Sequence, residues 1–319
     1  MRRVLFLLLA AFALSGCSIR QAAYNSVSDM LAPPPQKKAS SKDTASPNPM
    51  TALTGENDPQ LVREFFPTAL KLYEIMLIQN PRHQGLAIMT GQLYIMYANA
   101  FVQTPAEQLP MEQFTTQDSE YRRALNFYVR GKNFVLDALN NKYPFFSQAV
   151  FGPDRAAAEK MLALCKPVDT SALYWAGAGA MGAFALNPLD TELLASLEGS
   201  LAMLEHAAEL DPAFNNGAIW EVLMSFYGAA PESLGGGREK ALAAYENALR
   251  YSGGTSPGTF IGYARTFCIP AQDGAAFDEA IEKALAIDPE SQSENRLVLT
   301  IAQKQAQWLK DHKADFILE

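Results

Sequence analysis

The sequence predicts an all-α chain, folded as a tetratricopeptide-like helical-repeat solenoid with degenerate repeats. Three observations carry this. From Thr51 onward apolar residues recur at helical spacing, and no run alternates with a period of two between turn signals. Short caps and Pro or Gly stops punctuate the chain, at irregular spacing. A repeat register recurs: a small residue, an aromatic four later, a small or apolar residue three further on, then Pro five beyond that. Ala69, Tyr73, Met76 and Pro81 fill it, and Ala241, Tyr245 and Ala248 fill it with Gly253 at the Pro place. Ser200, Leu204, Ala207 and Pro212 fit more loosely, as do Phe277, Ile281, Ala284 and Pro289.

Taken in order, the chain opens on an address. Arg2 and Arg3 precede the apolar run Val4 to Leu14, which is too short to span a bilayer and suits a signal peptide. Leu14-Ser15-Gly16-Cys17 is a lipobox: small residues fit a narrow peptidase site, and the cysteine thiol takes diacylglycerol. Residues 1–16 are therefore read as signal peptide and Cys17 as the lipidated residue. Two or more acyl chains hold a protein stably on a membrane. Ile19 to Leu31 fits a short amphipathic helix. Ala32 to Met50, with Pro33-Pro34-Pro35 and Pro47-Asn48-Pro49, cannot bury enough apolar area to order itself. Residues 17–50 thus read as anchor and Pro/Ser-rich tether, and 51–319 as the repeat domain.

Within that domain helix starts are expected at Asp58-Pro59, Asp154, Asp169-Thr170-Ser171 and Asp190. Ends are expected at Asn80-Pro81, Asn187-Pro188, Asp211-Pro212, Gly253-Gly254 and Asp288-Pro289. Pro67 should break or kink its helix. A long helix is expected from about Tyr121 to Asn140. The interval Pro212 to Gly253 is 41 residues and that from Gly253 to Pro289 is 36. Against a unit of about 34 residues, the first carries an insertion, placed at Pro231 to Gly237.

Charge and chemistry exclude more than they assign. The net charge is −8, and removing residues 1–16 leaves 24 basic against 34 acidic residues. Without a basic cluster, binding to a nucleic-acid backbone is not expected. The three histidines, His83, His206 and His312, lie in no metal-ligand spacing, and no G-x-S-x-G occurs. Neither catalysis, a cofactor nor a metal is expected. Gly177-Ala178-Gly179-Ala180-Met181-Gly182 satisfies G-x-G-x-x-G, but a helical stretch, not a strand, precedes it; its glycines read as sites where a neighbouring helix approaches. Cys165 and Cys268 read as buried free thiols. The aromatics Tyr94, Tyr97, Phe101, Tyr174, Trp175, Trp220, Phe226 and Tyr227 fall mostly on first helices of pairs, which line the concave, ligand- or partner-binding face of such solenoids. Plain core packing is the competing reading for each of them.

The lipobox followed by these degenerate repeats resembles the T component of TRAP-type solute transport systems, the tetratricopeptide lipoproteins called TatT. The matching stretches are Gly16 to Arg20, Asp58 to Pro81, Tyr97 to Val102, Leu173-Tyr174-Trp175, Glu205 to Glu221, Pro231 to Gly237, Tyr263-Ala264 and Ala302 to Phe316. The resemblance implies a homotrimer with a hydrophobic passage or cleft in each protomer. It also implies a partner, the periplasmic solute-binding subunit, and no catalysis. The expected place is the periplasm, lipid-anchored on the outer membrane. The expected role is to dock that subunit and relay an apolar or organic-acid ligand. A general envelope scaffold that binds protein segments and no small molecule is the alternative, and a helical glycan-cleaving enzyme a more distant one.

Overall fold

The structure, a computed structural model, describes residues 24–32 and 50–318. Cys17, the signal peptide and most of the predicted tether lie outside the described residues. Among those described there is no strand.

The helices follow their punctuation. Asp58 accepts from the backbone N–H of Gln60 and Leu61 and starts α1, Pro59–Gln79, which Asn80-Pro81 ends. Pro67 does not interrupt α1. Phe66 and Leu70 on either side of it are buried, and this packing outweighs one lost backbone bond. Next comes α2, Gln84–Tyr97, which passes through a π-helical stretch Ala98–Gln103 into Thr104–Glu107. This helix is long and apolar enough to cross a membrane, yet most of it is buried inside the protein. The long helix α3 runs Phe114–Lys142, wider at both ends than expected.

Then come α4, Arg155–Leu162, started by Asp154, and α5, Thr170–Leu186. After α6, Leu197–Leu210, the chain forms α7, Ala218–Ala229, and α8, Arg238–Ser252, which ends on Gly253 in the left-handed region. The predicted insertion Pro231 to Gly237 is a compact turn between α7 and α8. Next, α9, Pro257–Tyr263, continues as a second π-helical stretch, Ala264–Cys268. Last are α10, Gly274–Leu285, and α11, Arg296–Asp311. The α10 helix stops before the predicted Asp288-Pro289 boundary, because Asp288 starts a separate short helical turn instead.

Leaving aside the short α4, each helix packs on the one before it, and α2, α5, α7 and α9 also touch in succession across one intervening helix. This sequential pairing is compatible with tetratricopeptide-like repeats. Glycines set the closest approach. A Cβ on Gly131 would stand 2.7 Å from the Gly91 carbonyl oxygen, so α2 and α3 cross backbone to backbone. The G-x-G-x-x-G run acts the same way. A Cβ on Gly177 would meet Leu204, one on Gly179 would meet Ile95, and one on Gly182 would meet the Tyr128 ring. Those glycines let α5 sit against three helices at once. The last helix returns to the first: α11 packs on α1 and on the turn Thr51–Thr54, and an Arg296 guanidinium N–H donates to the Gly55 carbonyl. The array is therefore closed on itself.

Residues 24–31, within the stretch expected as a short amphipathic helix, are helical and lie on the C-terminal half of α1. Tyr73 donates to the Leu31 carbonyl at 3.0 Å, the Asn80 side chain donates to Asn25 at 2.7 Å, and His83 Nε2 meets Asp29 at 2.9 Å. His83 Nδ1 accepts the Leu86 N–H, which leaves the ring proton on Nε2 to face Asp29. Ser28 and Ala32 are buried there.

Candidate functional site

The candidate site is the seam where α11 meets the first half of the chain. Two depressions open along it. One, of about 360 Å³, is walled by Pro59 and Arg63 of α1, Phe101 within the first π stretch and Pro105 just beyond it, and Ile301 and Lys304 of α11. The other, of about 330 Å³, is walled by Tyr121, Ile269, Trp308, Leu309 and Phe316 together with Glu107 and Arg265.

An ion pair joins the two halves here. Arg265 donates to Glu107 at 3.0 Å, across 158 residues of sequence. Both partners sit at π-helical stretches: Glu107 ends the helix that contains the first, and Arg265 lies within the second. A π turn inserts one residue into the helical ladder and rotates the turns beyond it. Neither π stretch has a sequence signature, so no reading of the chain could have paired Glu107 with Arg265. Tyr121, Trp308 and Phe316 carry no local signal for the same reason. The family resemblance held a trace of them. Tyr97 to Val102, Tyr263-Ala264 and Ala302 to Phe316, three of its matching stretches, are the elements that surround the seam.

The eight predicted aromatics lie in separate groups of rings. Phe101 is the one among them that walls either of these two depressions. Behind it runs a ring ladder: Phe101 and Tyr97 both pack on Phe66 at 5.5–5.6 Å, Tyr97 on Phe127 at 5.6 Å, and Phe127 on Tyr94 at 5.7 Å. The Tyr94 hydroxyl donates to Glu74 at 2.8 Å, and Arg130 pairs with the same carboxylate while lying over the Tyr94 ring. Burial pushes the Glu74 carboxyl up, but bonds from Lys71 and Tyr94 and the charge of Arg130 hold it below its ordinary range. Arg123 reaches the Tyr97 hydroxyl at 3.2 Å. Tyr174 and Trp175 pack together near Phe214, Trp220 stacks on Tyr251, and Phe226 and Tyr227 form a further pair.

Other groups with chemical potential serve the fold. Cys165 and Cys268 are buried free thiols, pushed up by burial to about 12 and about 11 respectively. His83 caps α2, His206 meets Glu209, and His312 meets the Trp308 carbonyl. Glu221 crosses from α7 to the start of α9, where it accepts from Ser256 and Thr259 at 2.6 Å each. Burial raises its carboxyl above the ordinary range despite those bonds. The folded state therefore binds this proton more tightly than the unfolded chain, and stability from Glu221 falls as pH rises above the ordinary carboxylate range. A Glu221→Gln variant should gain stability relative to the parent protein as pH rises above the ordinary carboxylate range, followed by urea titrations across that range. A constant difference between the two across that window would refute the assignment.

The fold and the N-terminal lipobox together define an all-helical protein held to a membrane by a lipid anchor. A family model described as a prokaryotic membrane lipoprotein lipid attachment site matches residues 1–18. A second, described as the TRAP transporter T-component, matches residues 55–317. The chain belongs to the TRAP transporter T-component family, and its role is accessory to such a transport system. An uncharacterized protein of Treponema pallidum (strain Nichols) is 45% identical to it over 305 residues, which cover 96% of this chain and 94% of that one. Replacing Cys17 with alanine removes the only thiol in the matched segment. The variant should leave the membrane fraction or accumulate unprocessed. Normal membrane retention would refute the anchor.

Proposed function

We propose that the protein docks the periplasmic solute-binding subunit of its transporter and relays an apolar or organic-acid ligand through the seam. The observation that carries this reading is the pair of depressions along the seam, one of them walled by Glu107 and Arg265. Their walls offer Phe101, Trp308, Phe316 and Ile301 to an apolar ligand, and Arg265 and Lys304 to a carboxylate. Phe101 is the contact residue among the predicted aromatics, with Tyr97 and Tyr94 backing it. The eight-aromatic site is thereby narrowed to the ladder of α2. A homotrimer on the outer membrane, its domain on the periplasmic side, is the assembly this reading takes from the family resemblance.

Co-purification tests it. The lipidated protein is mixed with the solute-binding protein of the same system at tens of micromolar, and the complex is followed by sedimentation. A complex is expected, and its absence overturns the docking role. Native mass spectrometry of the purified protein reads trimer mass and any retained ligand. Retention should drop in a Trp308→Ala variant. A complex that forms while no ligand is ever found would leave the scaffold reading standing in place of the relay.

A further inference from the structure

We infer that the face formed by residues 24–32 and the C-terminal half of α1 rests on the lipid bilayer, and that the bilayer surface is its occupant. The argument starts from chain length. If all of 17–50 were a free tether, the domain could stand up to about 110 Å from the acylated cysteine. Residues 24–32 are instead clamped to α1 and to the turn after it by Tyr73, Asn80 and His83. Only residues 18–23 separate Cys17 from Tyr24, and a fully extended chain spans that in about 25 Å. The clamp therefore brings the C-terminal end of α1 down to the membrane and fixes which end faces it.

What that end displays fits a lipid surface. Val27 and Met30 on the clamped helix are 45% and 62% exposed, and Leu72, Ile75 and Ile78 of α1 are 49%, 57% and 73% exposed. The last three are spaced by three residues. Each step turns about 60° around the helix, so together they fan over about 120°. A partner helix covers a narrower seam, whereas a planar interface can accept the whole fan. Arg82, in the turn beside them, is exposed and available to lipid phosphates.

The test uses the lipidated full chain in vesicles of phosphatidylethanolamine and phosphatidylglycerol. An environment-sensitive dye is attached after Met30→Cys, Ile78→Cys or Leu189→Cys, with the buried Cys165 and Cys268 left in place. Leu189 is exposed in the turn after α5, at the opposite end of the α2–α3–α5 layer. Spin-labelled lipid should quench the dye at 30 and 78 several-fold more than at 189. Equal quenching at all three overturns the proposal. An Asp29→Ala, Tyr73→Phe double variant loosens the clamp; quenching should persist at 30 and fall at 78, and no change at 78 also overturns it. Shielding of position 78 in the unacylated Cys17→Ser protein, free of lipid, would assign the face to a second copy of the chain and likewise overturn the proposal.

Discussion

An Asp169→Ala variant is expected to unfold with about 3 kcal/mol less stability than the parent protein. The Asp169 side chain is fully buried. It accepts from Lys142 at 2.5 Å, from the Tyr143 hydroxyl at 2.8 Å and from the Lys166 N–H at 2.9 Å. These bonds tie the last turn of α3 to the entrance of α5. Removing the carboxylate takes the charge partner from a half-buried ammonium and the strongest acceptor from a phenol, and breaking a buried pair costs about 3–5 kcal/mol. Lys142 retains partial access to water, which puts the expectation at the lower end. The exposed pair Arg122–Asp118 supplies the contrast: an Asp118→Ala variant should lose under about 1 kcal/mol. Urea denaturation of both variants measures the difference. Similar losses for the two would show that the Asp169 cluster is not a structural clasp.

The second large effect is expected at the crossing of α2 and α3. Gly131→Val places a branched side chain where the Gly91 carbonyl oxygen and the Ile95 side chain each lie 2.7 Å from the new Cβ. A backbone oxygen inside a packed helix cannot swing aside as a flexible side chain can. The two helices must separate, and overpacking of this kind costs about 1–3 kcal/mol or more. Separation would also shift α5, because Ile95 packs against Gly179. The variant is expected to show a lower urea midpoint and to bind an apolar dye through newly exposed core surface. A midpoint unchanged within error would show that the crossing has slack.

The two effects differ in how far they could be read from the chain alone. Gly131 carries no local signal. The close approach exists only because Gly91 meets it from another helix, 40 positions earlier in sequence. Asp169 was legible as a polar residue at a helix entrance, yet its carboxylate makes no side-chain cap on α5 and turns to Lys142 instead. Asp58, Asp154 and Asp190 do cap their helices, each accepting from two backbone N–H groups of the first turn. Pro67 departs from the expected break for the reason that separates propensity from packing. The missing N–H is a local loss, while the burial of Phe66 and Leu70 is a gain spread over many contacts.

The same division runs through the site. Phe101, Tyr97 and Tyr94 were visible because their spacing puts them on one side of a helix. Their partners Phe66 and Phe127 come from other helices, and the wall of Ile301 and Lys304 that shares a depression with Phe101 is joined to it only when α11 closes against α1. The clamped helix at 24–31 was legible as amphipathic, but not that its polar Asn25 and Asp29 would find the end of α1 while Val27 and Met30 stay exposed.

The sequence by itself therefore determined the class of structure, most helix boundaries, the lipid address at Cys17 and the likeness to a transporter component. These depend on contacts between near neighbours: a cap and its N–H, a stop residue and its turn, a thiol in a peptidase recognition run. Only the tertiary structure decided where the array closes, which π-distorted turns Glu107 and Arg265 bring together, and that the short helix at 24–31 is held against the domain. Those outcomes depend on pairs tens to hundreds of residues apart. Their energies come from packing and desolvation that exist only after the helices have met.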